Sequence, residues 1–484
     1  MQADIHLKMF RHRPWAWRLA PWALVCTVAT AGTAWGQNLS DLYALAREHD
    51  AEFLAARHSL DAARQRSPQA WGALLPQLSY STSRQTQKGT LHFADEEPVA
   101  KDVESRNQGW QLTQGIVRPQ QWAAVRQANA FEAQAEAEFV RAQQDLSMRL
   151  VQAYLDAWVA SESVRVSAGQ LEGVKAQQGL AKRNYEVGVT TITDVYEAQA
   201  KFDLTEAQSI GALNDLNARL AELEQILGRP VQQLHGIAED AVLPGLTGEP
   251  LAAWVDLSHD AQPDVLLAKA SVDVAKAGLL QQKAAFLPTV DLTLNNGTDR
   301  STGSVTAPAD VGYRTRTHQA ALTLNWSLFD GGQSYFRTRE SAYQLSKVQA
   351  DLDAAQRRAT TSVRLAYAGI RSGQAQIRAL TSAVASSKKA LDASKVGYRI
   401  GTRINIDVLN AENQYFAAQR DFAKARADTV MQWVRLQAAS GSLTDDSIDQ
   451  INAWLAPTGQ PIKFEMTDFA NESIKADEPR RVKP

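Results

Sequence analysis

The chain states one pattern twice. Ser59-Leu60-Asp61-Ala62-Ala63-Arg64 returns as Ser271-Val272-Asp273-Val274-Ala275-Lys276, 212 residues later, and Leu75-Pro76 returns as Leu287-Pro288 at the same offset. Ala153-Tyr154 returns as Ala366-Tyr367, now at 213 residues. Tyr185, Gly188, Asp194, Val195 and Ala198 return as Tyr398, Gly401, Asp407, Val408 and Ala411, and Gly228 has its echo in Gly441. Chance matches in a chain rich in Ala and Gln do not keep a constant offset, so the two halves are expected to share one architecture. The repeats fall at 37–249 and 250–441, followed by a terminal segment at 442–484.

Each half carries the same order of elements. A helical stretch (39–73, then 250–286) runs to the Leu-Pro pair, where proline ends it. A strand, a polar loop (85–106, then 296–317) and a second strand follow. The clearest strand alternates Ala320, Leu322, Leu324, Trp326 and Leu328 with Ala321, Thr323, Asn325 and Ser327, giving one apolar and one polar face. Val290, Leu292 and Leu294 alternate with Asp291, Thr293 and Asn295. Trp110, Leu112 and Ile116 alternate less cleanly because Gln114 interrupts them, and Leu78 and Tyr80 begin the weakest strand. Pro119 to Tyr185 then contains no further proline, and neither does Gly331 to Tyr398. A helix of that length spans ~100 Å. Each meets a short break (Gly188–Thr193, Gly401–Asn405) and turns into a returning helix that ends near Gly228 or Gly441. A soluble coiled-coil rod would account for such helices but not for four alternating strands.

Half-apolar strands of about ten residues are what a membrane barrel uses, and hydropathy scans miss them. Four strands cannot close, because the smallest outer-membrane barrels have about eight. An open edge is not tolerated in lipid, so several chains must share one barrel. Two chains would supply eight strands and three would supply twelve; strand count does not choose.

The N-terminus reads as a secretory signal over 1–36. Lys8, Arg11, Arg13 and Arg18 precede an apolar stretch from Ala20 to Ala31, and Ala34 and Gly36 flank Trp35. That stretch is short for a membrane anchor. Val25 stands before Cys26 where a lipoprotein signal has a small residue, so the exported chain is expected to be unlipidated. Cys26 is the one cysteine among 484 residues, which removes disulfides and thiolate sites from the mature protein. A net charge of -2 argues against nucleic acid as a partner. The eight histidines have no metal-ligand spacing, and neither a phosphate-binding loop nor a nucleophile elbow is present. The sequence therefore predicts no enzyme, no cofactor and no resident metal.

The order helix, Leu-Pro, strand pair, long helix, Tyr-x-x-Gly and Asp-Val, given twice, resembles the TolC family of outer-membrane efflux and export ducts. The likeness runs from about residue 39 to 455. It is sharpest at Gly397-Tyr398-Arg399-Ile400-Gly401-Thr402-Arg403, at Asp407-Val408-Leu409, and at Trp326-Ser327-Leu328-Phe329-Asp330-Gly331-Gly332. The resemblance implies an α+β membrane protein. In it, three chains give four strands each to one transmembrane barrel, continued by a long α-helical coiled-coil barrel with a small mixed α/β equatorial region. It implies a homotrimer in outer-membrane lipid, extending into the periplasm and working with a periplasmic adaptor and an inner-membrane ABC transporter or other pump. Cargo would be a secreted protein, as in type I secretion of a toxin or protease, or alternatively small molecules. The missing lipid anchor favours protein. A passive porin fits the ~100 Å helices poorly. The last twenty residues are charged and are expected to be disordered.

The same resemblance places Asp407 in the closed periplasmic entrance, where three-fold symmetry would make it a ring of carboxylates that favours cations. The family's second aspartate, one turn on, is Asn410 here, which implies weaker cation trapping. Tyr398 and Arg403 would face Thr193 and Asp194 as latches between neighbouring coiled coils, their donors meeting acceptors. Ordinary N-terminal capping is the competing role for Asp194 and Asp407.

Overall fold

Helix ends in this chain are set by proline and by side-chain caps. The computed structural model describes residues 38–92, 97–231, 234–238, 241, 243, 250–307 and 311–456. The expected signal at 1–36 and the tail beyond 456 lie outside the described residues, as do 232–233, 239–240, 242 and 244–249. The first helical stretch divides into α1 (Leu39–His49), α2 (Ala51–Arg64) and α3 (Arg66–Gly72). Asp50 makes the first division. Its backbone is extended, its carboxylate accepts the Phe53 N–H at 2.7 Å, and Arg149 holds the same buried group at 3.1 Å. After Pro76 come β1 (Gln77–Leu91) and β2 (Val99–Val117), then α4 (Pro119–Glu186), α5 (Ile192–Leu227) and the short β3 (Gly236–Ile237).

The second half follows suit. Its first helical stretch divides into α6 (Leu251–Ala261) and α7 (Pro263–Ala284), because the Gln262 side chain accepts the Val265 N–H at 2.8 Å and Pro263 starts the next helix. Then come β4 (Thr289–Ser301), β5 (Tyr313–Asn325), α8 (Gln333–Arg399), α9 (Asn405–Ser440), α10 (Asp445–Trp454) and β6 (Leu455–Ala456). Helix α4 has 68 residues and α8 has 67, while α5 and α9 have 36 each. At ~1.5 Å per residue the two long helices each span ~100 Å. Helix α4 packs against α5, α7 and α9, and α8 packs against α7 and α9.

The four long strands form one antiparallel sheet in the order β1-β2-β4-β5, so among the described residues β1 and β5 each keep an unpaired edge. The strands run further than their apolar alternation suggests. Of the polar segments read as loops, 85–106 is mostly ladder and 296–317 is half ladder, and the connections shrink to 92–98 and 302–312. Backbone pairing does not require apolar side chains, and ion pairs from Arg84 to Glu104 (2.7 Å) and Lys88 to Asp102 (2.9 Å) support the distal half of β1 and β2. The interrupted alternation near Gln114 also has a cause. The register slips between Gly115 and Val117, and the Gln114 amide donates to the Leu74 carbonyl at 2.9 Å.

The core lies where α1, α2, α4, α5, α9 and α10 meet, around Leu146, Leu150, Tyr154, Leu223, Leu227, Val434 and Ile448. Tyr154 is fully buried, and burial pushes its phenol well above the ordinary value. Its hydroxyl donates to the His235 carbonyl at 2.8 Å and accepts the His235 N–H at 2.9 Å, which ties the segment before β3 to α4. Gly441 ends α9 at φ 77°, and a Cβ there would overlap the Ala261 backbone. Glycine lets the end of α9 touch the end of α6.

Candidate functional site

The two interhelical turns are built on the same plan but finished differently. At the first, Gly188 takes φ 76° and the Val189 N–H returns to the Asn184 carbonyl at 2.8 Å. Thr191 then caps α5 in a reciprocal box with Asp194. The Asp194 N–H meets Thr191 Oγ1 at 3.3 Å, and the Thr191 N–H meets the Asp194 carboxylate at 3.1 Å. At the second turn Gly401 takes φ 78° and the Thr402 N–H reaches the Gly397 carbonyl at 2.9 Å. Ile404 stands at the cap position of α9 and offers no side-chain bond. Asp407 lies in the first turn and pairs with Arg403 at 3.5 Å.

Asp194 is thus a capping-box residue. Asp407 is half-buried and is engaged by a cation from its own turn, while Asn410 is exposed. Tyr398, half-buried, accepts a hydrogen bond from the Asn184 side chain at 3.3 Å. Within one chain no hydrogen bond or ion pair joins Thr193 or Asp194 to Tyr398 or Arg403. The structure gathers all six residues on two neighbouring turns and their flanks, and gives four of them local partners: Asp194, Tyr398, Arg403 and Asp407.

Sequence reading missed the polar seam above these turns. Gln177 of α4 donates to Asn405 of α9 at 2.6 Å, and Gln170 donates to Asn413 at 2.8 Å while accepting from Arg420 at 3.3 Å. Between them Glu412 is buried, with one carboxylate oxygen 3.4 Å from Lys395 of α8 and the other without a partner. Burial pushes its carboxyl above the ordinary value, and the Lys395 charge opposes that only in part. A Cβ at Gly173 would overlap this carboxylate, so the glycine of α4 makes room for it. The seam was legible in principle, because Asn405 and Glu412 stand seven residues apart on the face that buries Val408 and Leu409.

Among the described residues no cluster of His, Cys, Asp or Glu could hold a metal, and no helix is long and apolar enough to cross a membrane. Two helical hairpins, each with one ~100 Å arm and a returning helix about half as long, joined to an open four-stranded sheet, define a class of membrane-channel subunit. The sequence pattern described as Outer membrane efflux protein matches residues 42–229 and 254–442, and the chain belongs to that family. It is 30% identical to the alkaline protease secretion protein AprF of Pseudomonas aeruginosa, over 87% of this chain and 88% of that protein. It is 28% identical to the proteases secretion protein PrtF of Dickeya chrysanthemi, over 88% of this chain and 92% of that protein. The fold matches the CmeC outer membrane channel of Campylobacter jejuni with a TM-score of 0.72, at 16% identity, over 87% of this chain and 90% of that one.

Proposed function

We propose that this outer-membrane protein is the channel-tunnel of a type I protein export system, passing a secreted protease or toxin out of the cell. Three copies would close a twelve-stranded barrel and continue it as a helical tunnel toward a periplasmic adaptor and an inner-membrane transporter. The observation that carries this reading is the sheet, whose two edges are unpaired and whose apolar face exposes Leu78, Leu322 and Leu324. Such a sheet is stable in lipid only when copies complete it. The matching helix lengths in the two halves support duplication of one structural unit at 37–249 and 250–441, with 442–484 joining the equatorial region through α10 and β6. The turns at 187–191 and 400–404 would form the periplasmic entrance, with Asp407 and Asn410 lining it and Thr193, Asp194, Tyr398 and Arg403 latching neighbouring hairpins.

Two protease-secretion relatives at 28–30% identity support protein as cargo. The family's description as efflux proteins supports small-molecule efflux as the second reading. No catalysis is expected of the chain. The test is native mass measurement of the detergent-purified protein, followed by co-expression with a protease-secretion transporter and adaptor. A trimer that restores extracellular protease carries the proposal; a monomer, or a trimer that exports dyes but never protease, overturns it.

A further inference from the structure

Strand register places four arginines side by side across the whole sheet. Arg84 of β1 is opposite Arg106 of β2, Arg106 is opposite Arg300 of β4, and Arg300 is opposite Arg314 of β5. All four are exposed. Directly opposed like charges destabilise a sheet, so a row of four needs anions to offset it. Among the described residues only Glu104 serves, at 2.7 Å from Arg84 and 3.8 Å from Arg106. Arg300 and Arg314 have no ion pair among the described residues, nor has Arg316 one row below.

The row lies on the apolar face. Counting by twos from Arg84 leads to Tyr80 and Leu78, from Arg106 to Trp110 and Leu112, from Arg300 to Leu294 and Leu292, and from Arg314 to Leu322 and Leu324. Tyr80 and Trp110 face each other at 4.7 Å, an aromatic pair between the leucines and the arginines. Leu324 and Arg314 are ten residues apart on β5. At ~3.4 Å per residue and a tilt of about 45°, that separation is ~24 Å of membrane normal, close to the ~25 Å apolar band of an outer-membrane barrel. The arginines therefore stand where hydrocarbon gives way to headgroups on the side away from the helices.

We infer that Arg84, Arg106, Arg300 and Arg314 form a belt that binds the phosphate groups of the outer-leaflet glycolipid. Guanidinium matches phosphate with paired hydrogen bonds, and the lipid would lay its acyl chains on the leucines below. This rests on the barrel reading, since only a lipid-facing sheet presents the row to headgroups. Among the described residues, the row sets four cations against one paired carboxylate.

Native mass spectrometry of the full-length protein in detergent tests the belt, with diphosphorylated lipid A and the same lipid stripped of its phosphates as probes. The parent is expected to retain the phosphorylated lipid at least tenfold more tightly. Arg300→Gln with Arg314→Gln should abolish that preference, whereas Arg300→Lys with Arg314→Lys should keep part of it. A millimolar excess of inorganic phosphate should not displace the lipid. Equal retention of both lipids by the parent overturns the proposal even if the glutamine variant does not fold. So does an unchanged preference in a folded glutamine variant, or complete displacement by free phosphate. Failure of the underlying barrel reading is distinguishable, because the same spectra would then show monomers.

Discussion

The Glu412 carboxylate on α9 occupies the space that a side chain at Gly173 of α4 would need. Lys395 reaches the same carboxylate from α8, so one acidic group sits where three helices converge. A buried acceptor without a partner carries its full desolvation cost, which makes this a weak point in the polar seam between α4 and α9.

Gly173→Ala tests the relationship directly. The added methyl must displace the carboxylate, move α9 outward, or both, and overpacking of this kind costs about 1–3 kcal/mol. Thermal unfolding of the purified protein should show the loss. Combining Gly173→Ala with Glu412→Ala should recover much of it, because the two changes share one contact. Simple additivity of the two losses would mean that the residues do not meet.

The same carboxylate makes stability depend on pH. Its pKa is raised in the folded chain, so the native state holds this proton more tightly than the unfolded state does. The stability it contributes is present below the unfolded pKa and is lost as pH rises through the folded pKa. Glu412→Gln keeps the shape and removes the charge. It should therefore match or exceed the parent at pH 7.5, and lose that relative advantage as pH falls through the raised folded pKa toward the ordinary carboxylate range. Urea midpoints across that range check the sign; an advantage that grows at acid pH would contradict it.

Tyr154→Phe should act on a different part. The variant leaves the His235 N–H and carbonyl without the hydroxyl that now serves both, at a cost of about 1–3 kcal/mol. Amide exchange should rise first around residues 234–238, with α4 still protected. Uniform loosening of the whole chain would mean that Tyr154 matters only as core volume.

How far the sequence disclosed this structure depends on which physical signal each part leaves. Leu-Pro pairs, long proline-free stretches and Gly-containing turns located both hairpins, because proline and left-handed glycine act locally. At the first turn capping is the competing role for Asp194, and there Thr191 is the cap and Asp194 its reciprocal partner. The distal strands read as loops because only the half next to the helices alternates, and polar ladders have no hydropathy signature. The Arg84–Arg106–Arg300–Arg314 row is invisible in one dimension. It exists only through register, which brings together positions more than 190 residues apart in the chain. The polar seam is long-range too, joining Gln177 to Asn405.

Arg403 and Asp407 give the sharpest test of the proposed entrance. They pair at 3.5 Å across one helical turn, and the Arg403 side chain is 60% exposed. A pair that open to solvent adds ~0–1 kcal/mol to stability, so either residue can be changed without disturbing the fold. Their effects on ions should be opposite. In the proposed trimer, Asp407→Ala removes three carboxylates from the bore and leaves three guanidinium groups, so cation preference should fall. Arg403→Ser frees the same carboxylates from their partners, so cation preference should rise. The added Tyr398→Phe change removes the hydroxyl that Asn184 now contacts. If these residues also latch neighbouring hairpins, the double variant should conduct more, because each ~1.4 kcal/mol shifts the closed–open balance tenfold. Planar-bilayer recordings of the purified protein, with a salt gradient for selectivity, read both effects without any transporter. Opposite selectivity shifts with unchanged conductance would keep Asp407 in the bore and dismiss the latch. Selectivity that ignores both substitutions would return Asp407 to the role its position in α9 already gives it, a carboxylate in the first turn of a helix.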